Sequence, residues 1–220
     1  MTKRIVIALA LLLAAACSGK STPPKASSSP AATRPPVSDG QVNRPLAGVY
    51  VYTLSSVSGA ALPPGLERIE TVSISGNTYK SLITDNKNAN QDTFFRLWTS
   101  SAVELAVSDA IVSGGERKCT YTPPIKVVPI PLKIGKLARQ SWTSPDLACT
   151  GTTDINVISQ ETVADAKGTK WSTWKIQEVT SSGGTSTQTH WFSPVLGADI
   201  RDQSTSPNES TLSVLSDYPS

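Results

Sequence analysis

The chain reads as mainly β, and three observations carry that reading. Short runs of β-branched and aromatic residues alternate with polar ones, turn signals fall between the runs, and no sustained helical stripe follows the first sixteen residues. Val103, Leu105 and Val107 share one face while Glu104 and Ala106 take the other, the pattern of a half-buried strand.

From the N-terminus, residues 1–16 carry the three parts of a secretory signal: Lys3 and Arg4, an apolar run beginning at Ile5, and the small residues Ala14, Ala15 and Ala16. The apolar run ends after about a dozen residues, short of the ~20 needed to span a bilayer, so it targets the chain without holding it in the membrane. Leu13-Ala14-Ala15-Ala16-Cys17 resembles the lipobox of bacterial lipoproteins, with Ala14 in the place usually held by Leu. The resemblance implies that the Cys17 thiol takes a diacylglyceryl group and that the mature chain begins there, acylated with palmitate-like chains. The alternative is a soluble secreted protein cut near Ala16. With three cysteines in the chain, consuming Cys17 leaves an even pair. The expected location is therefore outside the cytoplasm, lipid-anchored to the bacterial cell membrane or outer membrane and facing the periplasm or exterior.

Residues 17–45 form the next segment. After Cys17 it is rich in Ser, Pro, Ala, Lys and Thr and contains no aromatic residue, so it cannot bury enough apolar surface to offset the entropy of ordering it. It reads as a tether with a root-mean-square span of roughly 30 Å. A Pro-rich ligand for a recognition domain is the other reading.

Residues 46–220 are long enough for one β-rich domain with a real core. Lys3, Arg4, Lys20, Lys25, Arg34 and Arg44 account for six of the 20 cations. The domain thus carries 14 against 16 acidic residues, a net of about −2 that argues against nucleic-acid binding. Strands are expected over 49–52, 70–74, 78–84, 93–99, 102–107, 154–159, 170–179, 187–192 and 210–215. Turns are expected at Gly76-Asn77, Gly114-Gly115, Lys167-Gly168 and Gly183-Gly184. A short helix fits near Asp217 or over residues 63–67.

Pro123, Pro124, Pro129 and Pro131 interrupt a stretch that otherwise has strand composition. Pro123, Pro129 and Pro131 delete donors on one side of an extended chain, which marks an unpaired edge. Such an edge blunts aggregation or forms the rim of a binding mouth. Cys119 and Cys149 flank this stretch, and an oxidising compartment would join them as a staple. They lack the spacing of a redox or metal motif.

Catalytic machinery is scarce. His190 is the only histidine, no nucleophile elbow, zinc or nucleotide motif is present, and its place beside Trp191 and Phe192 suits a structural hydrogen bond as well as a catalytic one. Oxygen donors alternate over Asn86, Asn88, Asn90 and Asp92, but Gln91 and Leu97 stand where a calcium loop needs Gly and Glu, so a polar hairpin loop is expected. No cofactor or metal is implied. Trp171 and Trp174 should face opposite sides of one strand, and together with Trp191 they are either core or the lining of an apolar pocket.

Cys119-Thr120-Tyr121-Thr122-Pro123-Pro124, then Pro129-Ile130-Pro131-Leu132-Lys133-Ile134-Gly135 and Trp142, resembles a pattern recurring in bacterial envelope proteins. His190-Trp191-Phe192-Ser193-Pro194-Val195-Leu196-Gly197 resembles a second segment of the same proteins. These are similar to half-barrels of the LolA and LppX type, which cradle acyl chains or lipoproteins. The resemblance implies a curved antiparallel sheet, a half-barrel or open barrel. It also implies a non-enzymatic carrier or binder of a lipid or other apolar envelope ligand, for which Trp171, Trp174 and Trp191 are the candidate lining residues. The alternatives are a structural lipoprotein that meets an envelope protein partner, and a hydrolase using His190.

Labelled fatty acid is expected to enter the wild-type chain and not Cys17→Ala; equal labelling of the two would rule out the lipobox.

Overall fold

The computed structural model describes residues 39–87, 91–112, 115–145 and 149–219, so Cys17 and most of the tether lie outside the described residues. Thirteen strands follow one another: β1 Gly48–Ser58, β2 Glu67–Ser75, β3 Thr78–Asp85, β4 Gln91–Trp98, β5 Ala102–Val112, β6 Gly115–Pro129, β7 Gly135–Lys136, β8 Gln140–Trp142, β9 Gly151–Ala164, β10 Lys170–Ser181, β11 Thr185–Ser193, β12 Ala198–Thr205 and β13 Ser210–Asp217. All belong to one antiparallel sheet in the order β6-β5-β4-β3-β2-β1-β13-β12-β11-β10-β9-β7, with β8 also on β9. Strand follows strand as a meander on each side of a single long-range join, where β1 pairs with β13.

The sheet curves until its edges meet. Thr122 of β6 and Thr143, next to β8, exchange backbone hydrogen bonds of 2.9 and 3.0 Å. Gln140 extends that seam with its side chain, accepting from the Lys126 N–H at 2.8 Å and donating to the Lys126 carbonyl at 3.0 Å. Its amide thus mimics one residue of a neighbouring strand on the side of β6 that faces away from β5. The proline-rich stretch is accordingly the sheet edge, as its missing donors require. The architecture is an open barrel closed by one bridge and one glutamine.

The disulfide joins Cys119 of β6 to Cys149 just ahead of β9, across the same seam. It packs with Ile125 and Trp142 in a small buried cluster. The Trp142 ring sits edge-on to Tyr121 at 5.1 Å, and its indole N–H donates to Thr153 Oγ1 at 3.0 Å.

Two of the expectations need correcting. No α-helix occurs among the described residues. Asp217 is the last residue of β13, opposite Val51, and residues 63–66 form a tight turn in which the Leu66 N–H donates to the Pro63 carbonyl before β2 begins. Both segments are consumed by sheet pairing and its turns. The second correction concerns strands the sequence did not suggest, β7, β8, β12 and the first half of β6. β12 (ADIRDQST) was masked by its charges, for a reason that the interior makes plain below.

Successive turns of a meander fall at opposite ends of the barrel. One end is crossed by residues 40–46, which form a strap. The Leu132 N–H donates to the Gly40 carbonyl at 2.7 Å, and the Asn43 N–H donates to the Pro194 carbonyl at 2.8 Å. The Arg44 guanidinium donates to the Gly76 carbonyl and to Asn77 Oδ1. The Leu46 backbone exchanges hydrogen bonds with the buried Tyr50 hydroxyl. The strap lies so close on the β11–β12 turn that a Cβ at Gly197, where φ is +71°, would run into the Asn43 carbonyl oxygen. Only glycine suits that position on both counts.

Beneath the strap Val103, Val128, Leu132, Val157, Trp174, Ile176 and Phe192 form one buried cluster, with Val42 of the strap against it. Tyr50, Tyr52, Val72, Ile200 and Leu215 form another around the β1–β13 join. Fully burying such side chains is worth about 1.5–3 kcal/mol each, so the join is held by packing as well as by the ladder.

Replacing Cys119 and Cys149 together by Ala opens a loop of sequence separation 30. Urea denaturation is expected to show a loss of about 3–4 kcal/mol.

Candidate functional site

The barrel encloses a cavity of about 380 Å³. Period-2 alternation decides which residues reach it. Tyr50, Tyr52 and Leu54 enter from β1, Arg68, Glu70 and Val72 from β2, Asp92, Phe94 and Arg96 from β4, and Gln188, His190 and Phe192 from β11. Pro45 of the strap and Gly197 close the floor, near Tyr50, Val72, Val103, Val128 and Phe192. Asp199 and Arg96 lie close to that floor, Arg68, Glu70, His190 and Asp202 further along the wall, and Asp92 and Glu178 toward the opposite end, where no described residue of the turns contributes to the lining. The cavity thus mixes aromatic, aliphatic and charged side chains along its length, with Asp92 and Glu178 the carboxylates toward the end away from the strap.

Strand register assembles the polar wall. His190 lies directly opposite Asp202 on β12, Arg68 is opposite Tyr52, and Arg96 is opposite Tyr79. Arg68 Nη1 donates to Asp202 Oδ2 at 3.0 Å, and Gln188 Nε2 donates to the same oxygen at 3.1 Å. The Arg68 guanidinium also stacks on the Tyr52 ring at 4.3 Å. His190 Nδ1 is 2.9 Å from Asp199 Oδ2 and 3.8 Å from Asp202 Oδ1. Arg96 donates to Ser81 Oγ at 2.8 Å, lies 3.9 Å from Glu70 Oε1, and is 5.0 Å from the Phe94 ring centre. Every cation of the wall is thus matched by a carboxylate, and both arginines also face an aromatic ring.

Charge states follow from these contacts. Burial acts to lower the His190 pKa, but Asp199, Asp202 and Glu178 outweigh it and carry the value up to about 9. Burial acts to raise that of Asp202, yet His190 and Arg68 hold the carboxyl below its ordinary range. Asp92 moves the other way, raised by burial and by neighbouring Asp85. The phenols of Tyr52 and Tyr79 are pushed up by burial and stay neutral hydroxyls.

The three tryptophans named from the sequence do not line the cavity. Trp174 is core, packed with Ile176 and Phe192. Trp171 and Trp191 lie on the opposite face of their strands. The Trp171 indole donates to Asp165 Oδ2 and its ring meets Tyr218, while Trp191 donates to Glu161 Oε2 beneath the Lys175 ammonium. Trp171 and Trp174 do face opposite sides of β10. In the polar loop, Asn86 bonds the β1–β2 turn through Gly65 and Glu67, and Asp92 has moved into β4 and the cavity wall. No group of three His, Cys, Asp or Glu side chains among the described residues is placed to hold a metal ion.

Of the charged residues in the wall, His190 and Asp92 are named from the sequence, and Arg68, Glu70, Arg96, Glu178, Asp199 and Asp202 are given no role there. Their signal was present: Arg68 and Glu70 are two apart in one strand, as are Asp92 and Phe94, so each pair shares a face.

Comparison with protein-family models, with curated proteins and with solved structures gave no match for this chain. Function has to be argued from the cavity itself.

The His190 contacts make stability depend on pH. A pKa raised in the folded state from 6.5 to about 9 contributes stability that is complete below pH 6.5 and lost as pH rises through 9. Asp202 acts at the other side, its contribution present above the ordinary carboxylate range and lost as pH falls. Denaturant titrations are expected to show roughly 3 kcal/mol less stability at pH 9.5 than at pH 6, and His190→Gln should remove most of that slope. Since His190 is the only histidine, its imidazole resonances report the midpoint without overlap.

Proposed function

We propose that this is a non-enzymatic, membrane-tethered binding protein of the bacterial envelope whose barrel interior takes one small molecule. The single observation carrying this reading is the cavity, whose size lies within the range of small-molecule pockets and whose walls combine aromatic surface with a few placed polar groups. Its mixed lining suits a ligand with a polar head and a short apolar part better than a long acyl chain. The strap supports the reading, because it covers one end of the interior with Val42 and Pro45. Export and anchoring at Cys17 complete the proposal, with the tether giving the domain reach from the membrane.

His190 fits this role better than hydrolysis. The Nδ1–Asp199 contact is what a general base needs, but an imidazole that stays protonated up to about pH 9 has no lone pair to accept a serine proton at neutral pH. Its charge instead balances the carboxylates around it.

Native mass spectrometry of the full chain purified from the envelope fraction should show a small-molecule adduct. Thr211→Trp, which places an indole on the cavity wall, should lack it while keeping the same circular dichroism. Wild-type protein without an adduct, or an equal adduct in both, would refute the proposal.

A further inference from the structure

The cavity wall is short of positive charge. Five carboxylates line it, Glu70, Asp92, Glu178, Asp199 and Asp202, against three cations, Arg68, Arg96 and His190. The cations are all engaged: Arg68 with Asp202, Arg96 with Glu70, and His190 with Asp199. Asp92 and Glu178 are left with no Lys, Arg or His within ion-pair distance among the described residues. Glu178 receives one hydroxyl hydrogen bond, from Thr180. Both stand toward the end of the barrel away from the strap, Asp92 near the start of β4 and Glu178 near the end of β10.

A second, independent feature points the same way. Asp202 is 4% exposed, and its Oδ1 accepts no hydrogen bond although the carboxylate forms part of the cavity wall. A buried carboxylate oxygen without a donor is costly, and a donor brought by a ligand or by a shift of His190 toward it relieves that cost. The unmatched donor of the cluster, Arg68 Nε, belongs to a guanidinium already stacked on Tyr52 and bonded to Asp202. An anion entering here would have to displace a carboxylate from an arginine and add negative charge to an interior that already has an excess of it.

We infer that the ligand is a small organic ammonium cation with a short apolar group, its head drawn to the carboxylate-rich wall, where Asp92 and Glu178 supply the acidic groups without a cation, and its apolar group on the aromatic lining. This rests on the reading of the barrel interior as a binding site. The elevated pKa of Asp92 agrees with it, since a carboxylate buried beside another carboxylate gains from an incoming cation.

Three probes that share a tail and differ in head charge test the inference: 2-phenylethylamine, phenylacetate and 2-phenylethanol, titrated calorimetrically into the full chain at neutral pH. The amine is expected to bind about tenfold or more tightly than either of the others, and added salt should weaken the amine alone. Asp92→Asn and Glu178→Gln should each reduce the preference for the amine over 2-phenylethanol several-fold. The wild-type comparison stands even if a variant fails to fold. Phenylacetate or 2-phenylethanol binding as well as the amine would overturn the charge assignment and leave the interior site standing. No binding by any of the three overturns the inference, and a missing adduct in the mass spectrum as well removes the interior site with it.

Discussion

Everything in this molecule depends on the pairing of its first strand with its last. β1 meets β13 over Tyr52–Leu215 and its neighbours, joining β1–β6 to β7–β13 as one surface. Each half alone is a meander of local hairpins with one face uncovered. Joined, the two halves curl until the opposite edges touch at Thr122 and Thr143, and the uncovered faces become a shared interior. A contact between residues more than 150 positions apart must be formed against a large loss of chain entropy. The buried Tyr50, Tyr52, Ile200 and Leu215 around that join offset this loss.

Closure has an electrostatic consequence. Charged residues facing inward are removed from bulk water, and each needs a partner to stay ionised. Register supplies some of those partners, because residues opposite one another on adjacent strands lie within reach, and curvature of the sheet supplies the rest. Arg68 finds Tyr52 beside it and Asp202 across the interior, and His190 finds Asp202 opposite and Asp199 close by. The network holds the wall of the cavity in shape and leaves two acidic groups over, which gives the interior a chemical preference as well as a volume. The strap makes the two ends of the barrel unlike, since it covers one of them with Pro45 and Val42.

Much of the secondary structure was legible in the sequence because most strands carry their own pattern. Residues 102–107 and 170–179 alternate clearly, and both are strands. The prolines from Pro123 to Pro131 marked an edge, and β6 is that edge. β12 was not legible, and the cause is physical. Strand recognition assumes that the inward face is apolar, whereas Asp202 faces a polar cavity, so the alternation that would reveal β12 is one of charge with charge. Aromatic residues misdirect attention for the complementary reason. Trp171 and Trp191 are large enough to suggest a pocket, yet they cover the opposite face of the sheet, where their indole N–H groups reach Asp165 and Glu161.

The sequence by itself determined the β class, one edge at the prolines and a cysteine pair able to staple it, since all three follow from local chemistry: side-chain shape, missing donors and thiol count. Tertiary structure alone decided which face became the interior, and so which charges became a site. Period two assigns residues to two faces without saying which face closes on itself. Only the β1–β13 pairing settles that, and with it turns Arg68, Asp92, Glu178, His190 and Asp202 from surface charges on separate strands into the wall of one cavity.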